Sequence, residues 1–195
     1  MKIAVFASGG GTDFQSVIDG VESGLIKAKI DLLIASKPDI FAIERAKKHG
    51  IDSFVFRKKD YESGEKMFED IISLLKERQI DLIVLAGYLT ILAPNIVKEY
   101  ENRIVNIHPS LLPKFGGVGM YGIKVHEAVI ASGEKESGCT VHYVDAGADT
   151  GKIIAQAKVT VSQDDTAQSL QQKVLEQEHQ LLPKVVAKLI EEMKK

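Results

Sequence analysis

The sequence predicts an α/β protein built on a doubly wound, mostly parallel sheet with helices on both faces, turning mixed towards the C-terminal end. Three observations carry this reading. Apolar runs such as IAVFA, DLLIA and LIVLA alternate with segments of helical period through the first half of the chain, the pattern of strand–helix–strand crossovers. Those runs are apolar at nearly every position, as strands buried on both faces are. Beyond residue 108 two strand-like segments follow one another closely enough to pair as an antiparallel hairpin.

In chain order, strands are expected at Lys2–Ser8, Ile30–Ser36, Ser53–Arg57, Asp81–Ala86 and Arg103–Ile107. The first two flank a helix whose Phe14, Val17, Ile18, Val21 and Leu25 recur at helical spacing. Further helices are expected at Ile40–His49, Glu62–Arg78 and Pro94–Tyr100. Ser110–Gly122 reads as a loop rich in Pro and Gly, followed by a short helix at Lys124–Ser132. Strands at Ser137–Val144 and Ile153–Val161 are joined by Asp145–Lys152, and a long helix from Thr166 to Met193 closes the chain. Asp164-Asp165-Thr166 supplies its cap.

Length and charge bound the function. The chain has 195 residues, and 25 Lys and Arg against 27 Asp and Glu leave a net charge of −2. A domain takes roughly 100–200 residues, so one domain with a substantial core is expected. The single Cys139 excludes an intrachain disulfide, and no Cys/His spacing marks a metal site. No apolar run approaches the roughly 18–20 residues of a membrane span, and the N-terminus lacks the apolar stretch of a signal peptide. A cytoplasmic protein is expected, with no membrane partner. The absence of a Lys/Arg-rich block argues against a broad nucleic-acid surface.

Two stretches carry candidate chemistry. Ser8-Gly9-Gly10-Gly11-Thr12-Asp13 joins the first strand to the first helix, where glycines let backbone N–H groups approach an anion. The dinucleotide fingerprint needs a glycine where Phe14 stands and an acid where Ser36 stands, and the Lys of a Walker loop is absent, so neither NAD nor ATP is supported. A simple phosphate and a ligand-free tight turn both fit, and Asp13 weighs against an anion by repulsion. Asn106 and His108 lie two apart at a strand end, so they face the same way while Ile107 packs behind. An amide donor and an imidazole there can stabilise an oxyanion, or form a structural hydrogen-bonded pair. Asp149, between Gly147 and Gly151, can orient His108 or simply serve the turn. His49, at a helix end, His126, on a helix, and His142, mid-strand, are weaker candidates. Glu178 stands close to the apolar stripe of the last helix, where a carboxylate needs a partner.

The motifs SGGGTDFQ, AGYLTIL, NIHPSLLP, GCTVHYVDAGADTG and QEH occur in this order across essentially the whole chain. Together they resemble the glycinamide ribonucleotide formyltransferase family. The resemblance implies a Rossmann-like formyltransferase fold with a mixed, seven-stranded sheet. It implies one domain over 1–195, with 1–108 as a phosphate-binding α/β half and 109–195 as folate loop, hairpin and C-terminal helix. Asn106, His108 and Asp149 fall on the catalytic trio. Gly11, Thr12 and Asp13 fall on the loop holding the ribonucleotide phosphate, and Glu178 on the acid contacting its ribose. Gly64, Leu89, Thr90, Ile91, Leu92, Asn106, Asp145, Ala146, Gly147 and Ala148 fall on the surroundings of the folate, 10-formyltetrahydrofolate, which is the co-substrate. No metal, ATP or NAD is implied. Partners are the two small-molecule substrates, with a monomer or homodimer as the assembly.

The chain departs from the family pattern at several positions. Thr90 and Gly64 stand where basic residues are common, and Leu175 where a polar or basic one is. Lys173, Lys114 and Lys124 are the candidates to replace that charge. The implied reaction is direct attack of the ribonucleotide amine on the formyl carbon. His108, protonated with help from Asp149, and the Asn106 amide would stabilise the oxyanion. Competing readings are methionyl-tRNA formylation, formyltetrahydrofolate hydrolysis and a non-catalytic sensor of a phosphorylated metabolite. The first two are disfavoured because those enzymes carry an added C-terminal or N-terminal domain, for which 195 residues leave no room.

Overall fold

A computed structural model describes residues 1–195. Seven strands form one sheet: β1 (Lys2–Ala7), β2 (Lys29–Ala35), β3 (Asp52–Val55), β4 (Leu82–Leu85), β5 (Ile104–His108), β6 (Glu136–Tyr143) and β7 (Ile153–Thr160). Their spatial order is β3-β2-β1-β4-β5-β6-β7. The first five strands run parallel, while β6 is antiparallel to both β5 and β7. The helices are α1 (Thr12–Glu22), α2 (Phe41–Lys48), α3 (Gly64–Glu77), α4 (Pro94–Glu99), α5 (Ile123–Ser132) and α6 (Ala167–Glu192). The mixed, mostly parallel sheet expected from the apolar runs is present.

The apolar runs divide between two cores, one on each face. Ile3, Val5 and Ala7 of β1 pack with Phe14, Val17 and Ile18 of α1 and with Val174, Leu182 and Val186 of α6. Ala4 and Phe6 of the same strand pack on the other face with Met67, Phe68 and Ile71 of α3 and Ile96 of α4. Alternate side chains of one strand thus serve opposite layers, which is why the central strands lack polar alternation. At the edge strand β7, alternate residues from Gln156 to Thr160 are exposed. Burying a Leu or Ile side chain contributes about 1.5–3 kcal/mol, so these two layers supply the main drive to fold.

Asp31 interrupts the apolar run of β2. It is buried and held by Arg78 at 2.7 Å and Lys29 at 3.2 Å. Burial alone would push its carboxyl up, but these two cations outweigh that and hold it below its usual range.

Local signals set the helix ends. Thr166 and Ser169 form a reciprocal capping box at the start of α6. The first helix is shorter than its periodicity suggests. It ends at Glu22, Gly24 takes a left-handed conformation (φ +77°), and Leu25 lies outside the helix and half exposed. Gly20 allows α6 to cross α1 closely, because a Cβ there would sit 3.2 Å from the Pro183 Cβ.

The strand order reverses between β1 and β4, with β2 following on one side and β5 on the other. The crevice at the carboxyl ends of these strands is where open α/β sheets bind ligands. Ser8 ties its two lips together. The Ser8 N–H donates to the Gly87 carbonyl at 3.0 Å, and the Leu89 N–H donates to the Ser8 hydroxyl at 2.9 Å.

Candidate active site

β5 extends one residue further than the sequence suggests, to His108. Ile104, Asn106 and His108 share one face of this strand, while Val105 and Ile107 enter the opposite core. Antiparallel pairing sets His142 of β6 directly across from Asn106 and Thr140 across from His108. The β6–β7 pairing carries a register irregularity between Val141 and His142, next to this point of the sheet. Asp149 arrives from the β6–β7 connection in a left-handed conformation (φ +57°), unusual for a residue with a side chain. Its Oδ2 lies 3.5 Å from His108 Nδ1 and its Oδ1 lies 3.6 Å from His142 Nε2. The expected Asn106, His108 and Asp149 thus converge, with His142 as a fourth member.

Hydrogen bonds fix how these rings are used. The Asn106 amide meets His142 Nε2 at 3.1 Å, and His142 Nδ1 donates to the Tyr143 carbonyl at 2.8 Å. In that tautomer Nε2 accepts from the Asn106 Nδ2, which leaves the second amide hydrogen free. His108 Nε2 donates to the Phe115 carbonyl at 2.9 Å, so its Nδ1 faces Asp149. Phe115 itself has φ +55°, a second non-glycine outlier at the same place. The Gly117 N–H donates to Asp149 Oδ2 at 2.9 Å, tying the 109–122 loop to the acid. Thr140 anchors the start of that loop through the Ser110 carbonyl at 2.7 Å and the Leu112 N–H at 3.1 Å.

The protonation pattern differs from the sequence-based expectation of a protonated His108. Burial lowers the affinity of this imidazole for a proton, and the charge of Asp149 and the Phe115 carbonyl only partly offset that. A neutral ring donating through Nε2 is the result. Burial opposes the charge of Asp149 too, but contacts with His142, His108 and the Gly117 N–H outweigh it and hold the carboxyl low. His126 on α5 is buried as well, and burial with the neighbouring His108 pushes it down to about 4. The site therefore sets an ionised Asp149 beside a His108 ring that burial keeps from taking up a proton readily.

The second group of expected residues meets elsewhere in the crevice. Gly11 caps α1 with φ +70° and is followed by Thr12 and Asp13 in its first turn. α2 packs against this loop, its Ala42 N–H donating to the Gly9 carbonyl at 3.2 Å. Arg45 of α2 donates from Nε to the Gly10 carbonyl at 2.8 Å and from a terminal nitrogen to Gln15 Oε1 at 3.1 Å. With Thr12, Gln15, Ser16, Asp19 and His179, Arg45 lines a cleft of roughly 270 Å³. Glu178, buried on α6, faces Asp13.

Two of the lysines offered as replacement charge are already engaged. Lys173 pairs with Asp165 at 2.6 Å, and Lys114 with Glu134 at 2.7 Å. Lys124 sits over the Tyr121 ring at 4.7 Å. The cation beside the glycine loop is Arg45, which sequence reasoning did not single out. Nothing in the primary structure signals it, since 33 residues of chain, including the β1–β2 crossover, separate it from Gly11. His142 was set aside as mid-strand, although its register opposite Asn106 follows once β5 and β6 pair.

The remaining expected positions lie on three other segments of the chain. Leu89, Thr90, Ile91 and Leu92 follow β4, next to β5, with Leu89 and Ile91 exposed. Asp145, Ala146, Gly147 and Ala148 form an exposed turn in which Asp145 accepts from the Gly147 N–H at 3.0 Å and from the Thr150 hydroxyl at 2.6 Å. Gly64 opens α3 and offers only backbone, while the next residue's carbonyl accepts from Asn95 at 3.0 Å. No three His, Cys, Asp or Glu side chains converge as a metal site.

A cleft of roughly 270 Å³ beside the glycine loop and, at the carboxyl end of β5, a cluster of an amide, two imidazoles and an acid define an α/β group-transfer enzyme. The chain belongs to the formyl transferase family, whose model matches residues 1–186. Within that family it is similar to phosphoribosylglycinamide formyltransferase from Bacillus subtilis, at 38% identity over 97% of this chain and 94% of that one. It is 41% identical to the chloroplastic phosphoribosylglycinamide formyltransferase of Arabidopsis thaliana over 98% of this chain, but spans only 66% of that protein's length. The crystal structure of phosphoribosylglycinamide formyltransferase from Bacillus halodurans superposes with a TM-score of 0.92 at 41% identity, covering 97% of this chain and 95% of that one.

Proposed function

We propose that this chain transfers a formyl group from 10-formyltetrahydrofolate to the amine of glycinamide ribonucleotide, a step of purine biosynthesis. The observation that carries the reading is the convergence of Asn106, His108 and His142 on Asp149, which lies 3.5–3.6 Å from both histidines. The names of the relatives supply the substrate class. We assign the reaction to the cytoplasm; no helix is long and apolar enough to cross a membrane.

The residues fit both substrates. Exposed Leu89 and Ile91 on one lip and the 145–148 turn on the other offer apolar surface and free backbone groups to a flat heterocycle. Gly64, at the start of α3 with open space where a side chain would stand, brings no cation to hold the folate tail. Gly11, Thr12 and Asp13 offer the N–H groups of a helix N-terminus to a phosphate, with Arg45 adding charge beside them.

When bound, the folate supplies the formyl carbon. Asn106 directs its free amide hydrogen at the formyl oxygen. His108, released from the Phe115 carbonyl, directs its Nε2–H to the same place, so both donate to the charge that develops there. Asp149, kept ionised, accepts the proton given up by the attacking amine, directly or through one water. Returning that proton to the departing folate nitrogen balances the exchange. His142 holds the Asn106 amide in register.

The test is formyl transfer measured with and without glycinamide ribonucleotide. Product formation only with that acceptor is expected, whereas acceptor-independent loss of formyl would point to hydrolysis. Removing one oxyanion donor commonly costs about 10²–10³ in turnover. His108→Ala and Asp149→Asn are expected to fold and to fall by that order, and near-normal turnover in both would refute the assignment.

A further inference from the structure

Asp13 is placed where a carboxylate is hardest to explain. It occupies the first turn of α1, at the loop offered to a phosphate, yet its side chain is only 14% exposed. Its Oδ1 is fully buried and meets no hydrogen-bond donor. The nearest cationic candidate, His179 Nε2, is 3.9 Å away, too far for a hydrogen bond, and is itself buried without a partner. Glu178, the neighbouring residue on α6, is 6% exposed and close enough to Asp13 for their charges to interact. Each helix thus presents a buried acid to the α1–α6 interface.

The groups around the pair do not neutralise it. From α2, Arg45 directs its nitrogens to the Gly10 carbonyl and to Gln15. From β6 comes Cys139, a buried thiol pushed up to about 12 by burial and by the two acids. From α1, the Ser16 hydroxyl donates to the Asp13 backbone carbonyl rather than to its carboxyl. Asp19 adds further negative charge near His179. From α6, burial keeps His179 from taking up a proton readily. Two buried carboxylates with no donor between them and the protein cannot both be ionised at low cost. Adding a phosphate dianion next to an ionised Asp13 would raise that cost again.

We propose that Asp13 and Glu178 act as an acid pair that retains a proton, and that Asp13 must carry one for the phosphorylated substrate to bind, so that binding is coupled to proton uptake. This rests on the reading of the glycine loop as the ribonucleotide phosphate site. Burial pushes the Asp13 carboxyl from 3.8 up to about 7, and Glu178 is raised well above its ordinary value by burial and by Asp13. The sign follows directly. Below pH 7 the pair holds its proton and accepts the phosphate. As pH rises through 7 the proton is lost, negative charge accumulates in the site and affinity falls.

Calorimetric titration of the protein with glycinamide ribonucleotide between pH 6 and 9, in two buffers of different ionisation heat, tests this. With a group titrating near 7, the dissociation constant should rise about tenfold from pH 6 to pH 8, with uptake of about one proton per ligand at pH 8. Asp13→Asn, the neutral isostere, should give a flatter profile, no proton uptake and tighter binding than the parent at pH 9. The phosphate's own second ionisation, near pH 6, is common to both proteins and cancels in the comparison. Glu178→Gln should reduce the dependence in the same direction and serves if the Asn variant folds poorly. Equal pH slopes in parent and variants, or binding without proton uptake, would overturn the proposal while leaving the substrate assignment standing. Failure of the ribonucleotide to bind at any pH would overturn both.

Discussion

Gly11→Ala probes whether the glycine loop is shaped for a ligand. Gly11 sits at φ +70° and ψ 35°, and an added Cβ would lie 2.8 Å from the Ala42 Cβ and 3.1 Å from its Cα. Ala42 is fully buried in the core beneath, so it cannot swing away. A left-handed conformation costs a residue with a Cβ about 1–2 kcal/mol, and overpacking a tight contact adds about 1–3 kcal/mol. A total near 3 kcal/mol corresponds to a melting point roughly 6–12 °C lower for a chain of this size. The displaced loop also misdirects the N–H groups at the start of α1. Hydrogen bonds to charged groups contribute about 1.5–3 kcal/mol each, so KM for the ribonucleotide should rise about ten- to a hundredfold. KM for the folate should stay close to normal, because the segment beside it is held through Ser8 rather than Gly11. Thermal melts by circular dichroism and initial rates with each substrate varied in turn provide the readouts. Adding Ala42→Gly removes the 2.8 Å clash and should recover much of the lost ribonucleotide affinity, a coupling a double-mutant cycle measures directly. An unchanged melting point and ribonucleotide KM in Gly11→Ala would refute the steric argument. An equal rise in both KM values would refute the division of the crevice into two substrate ends.

Two further outcomes follow from named contacts. Arg78→Ala strands Asp31, whose side chain is 3% exposed, with only the longer Lys29 and Lys2 contacts. It should cost about 3 kcal/mol at neutral pH by denaturant unfolding. Because Asp31 is held low when folded, its stabilisation is present above its unfolded value and fades in acid. The gap between parent and variant must therefore narrow as pH falls, and a constant gap would exclude the ion pair as its source. His142→Ala removes the partner that orients the Asn106 amide. It should lower kcat about ten- to a hundredfold with little change in ribonucleotide KM, whereas a pure KM effect in steady-state kinetics would place His142 outside the chemistry.

What the sequence made legible, and what it hid, divides along contact range. Strand identity was readable because β1, β2 and β4 are buried on both faces and therefore apolar along most of their length. The Asn106–His108 face was readable because strand periodicity is local. The end of α1 was not, since Leu25 continues the apolar spacing and Gly24 breaks the helix just before it. Charge state was the least legible property. His108 was expected to be protonated with help from Asp149, but burial of the ring outweighs both the charge of Asp149 at 3.5 Å and the Phe115 carbonyl on its Nε2, and favours the neutral form. Each of those terms depends on a loop closing over the strand end.

The same reasoning changes how near-zero net charge should be read in a protein that handles two anions. Counting lysines suggested a deficit, because positions 64, 90 and 175 lack the expected cations. The fold meets part of that need with Arg45, fixed to the Gly10 carbonyl, and with unpaired N–H groups at the start of α1. The other part is met by suppressing negative charge rather than by adding positive charge, since Asp13 and Glu178 are buried where ionisation is costly. Local potential at a ligand site is set by which groups are desolvated and which are free to ionise, and neither can be summed from composition. A formal charge of −2 is therefore compatible with a phosphate site, provided the acids nearest to it keep a proton.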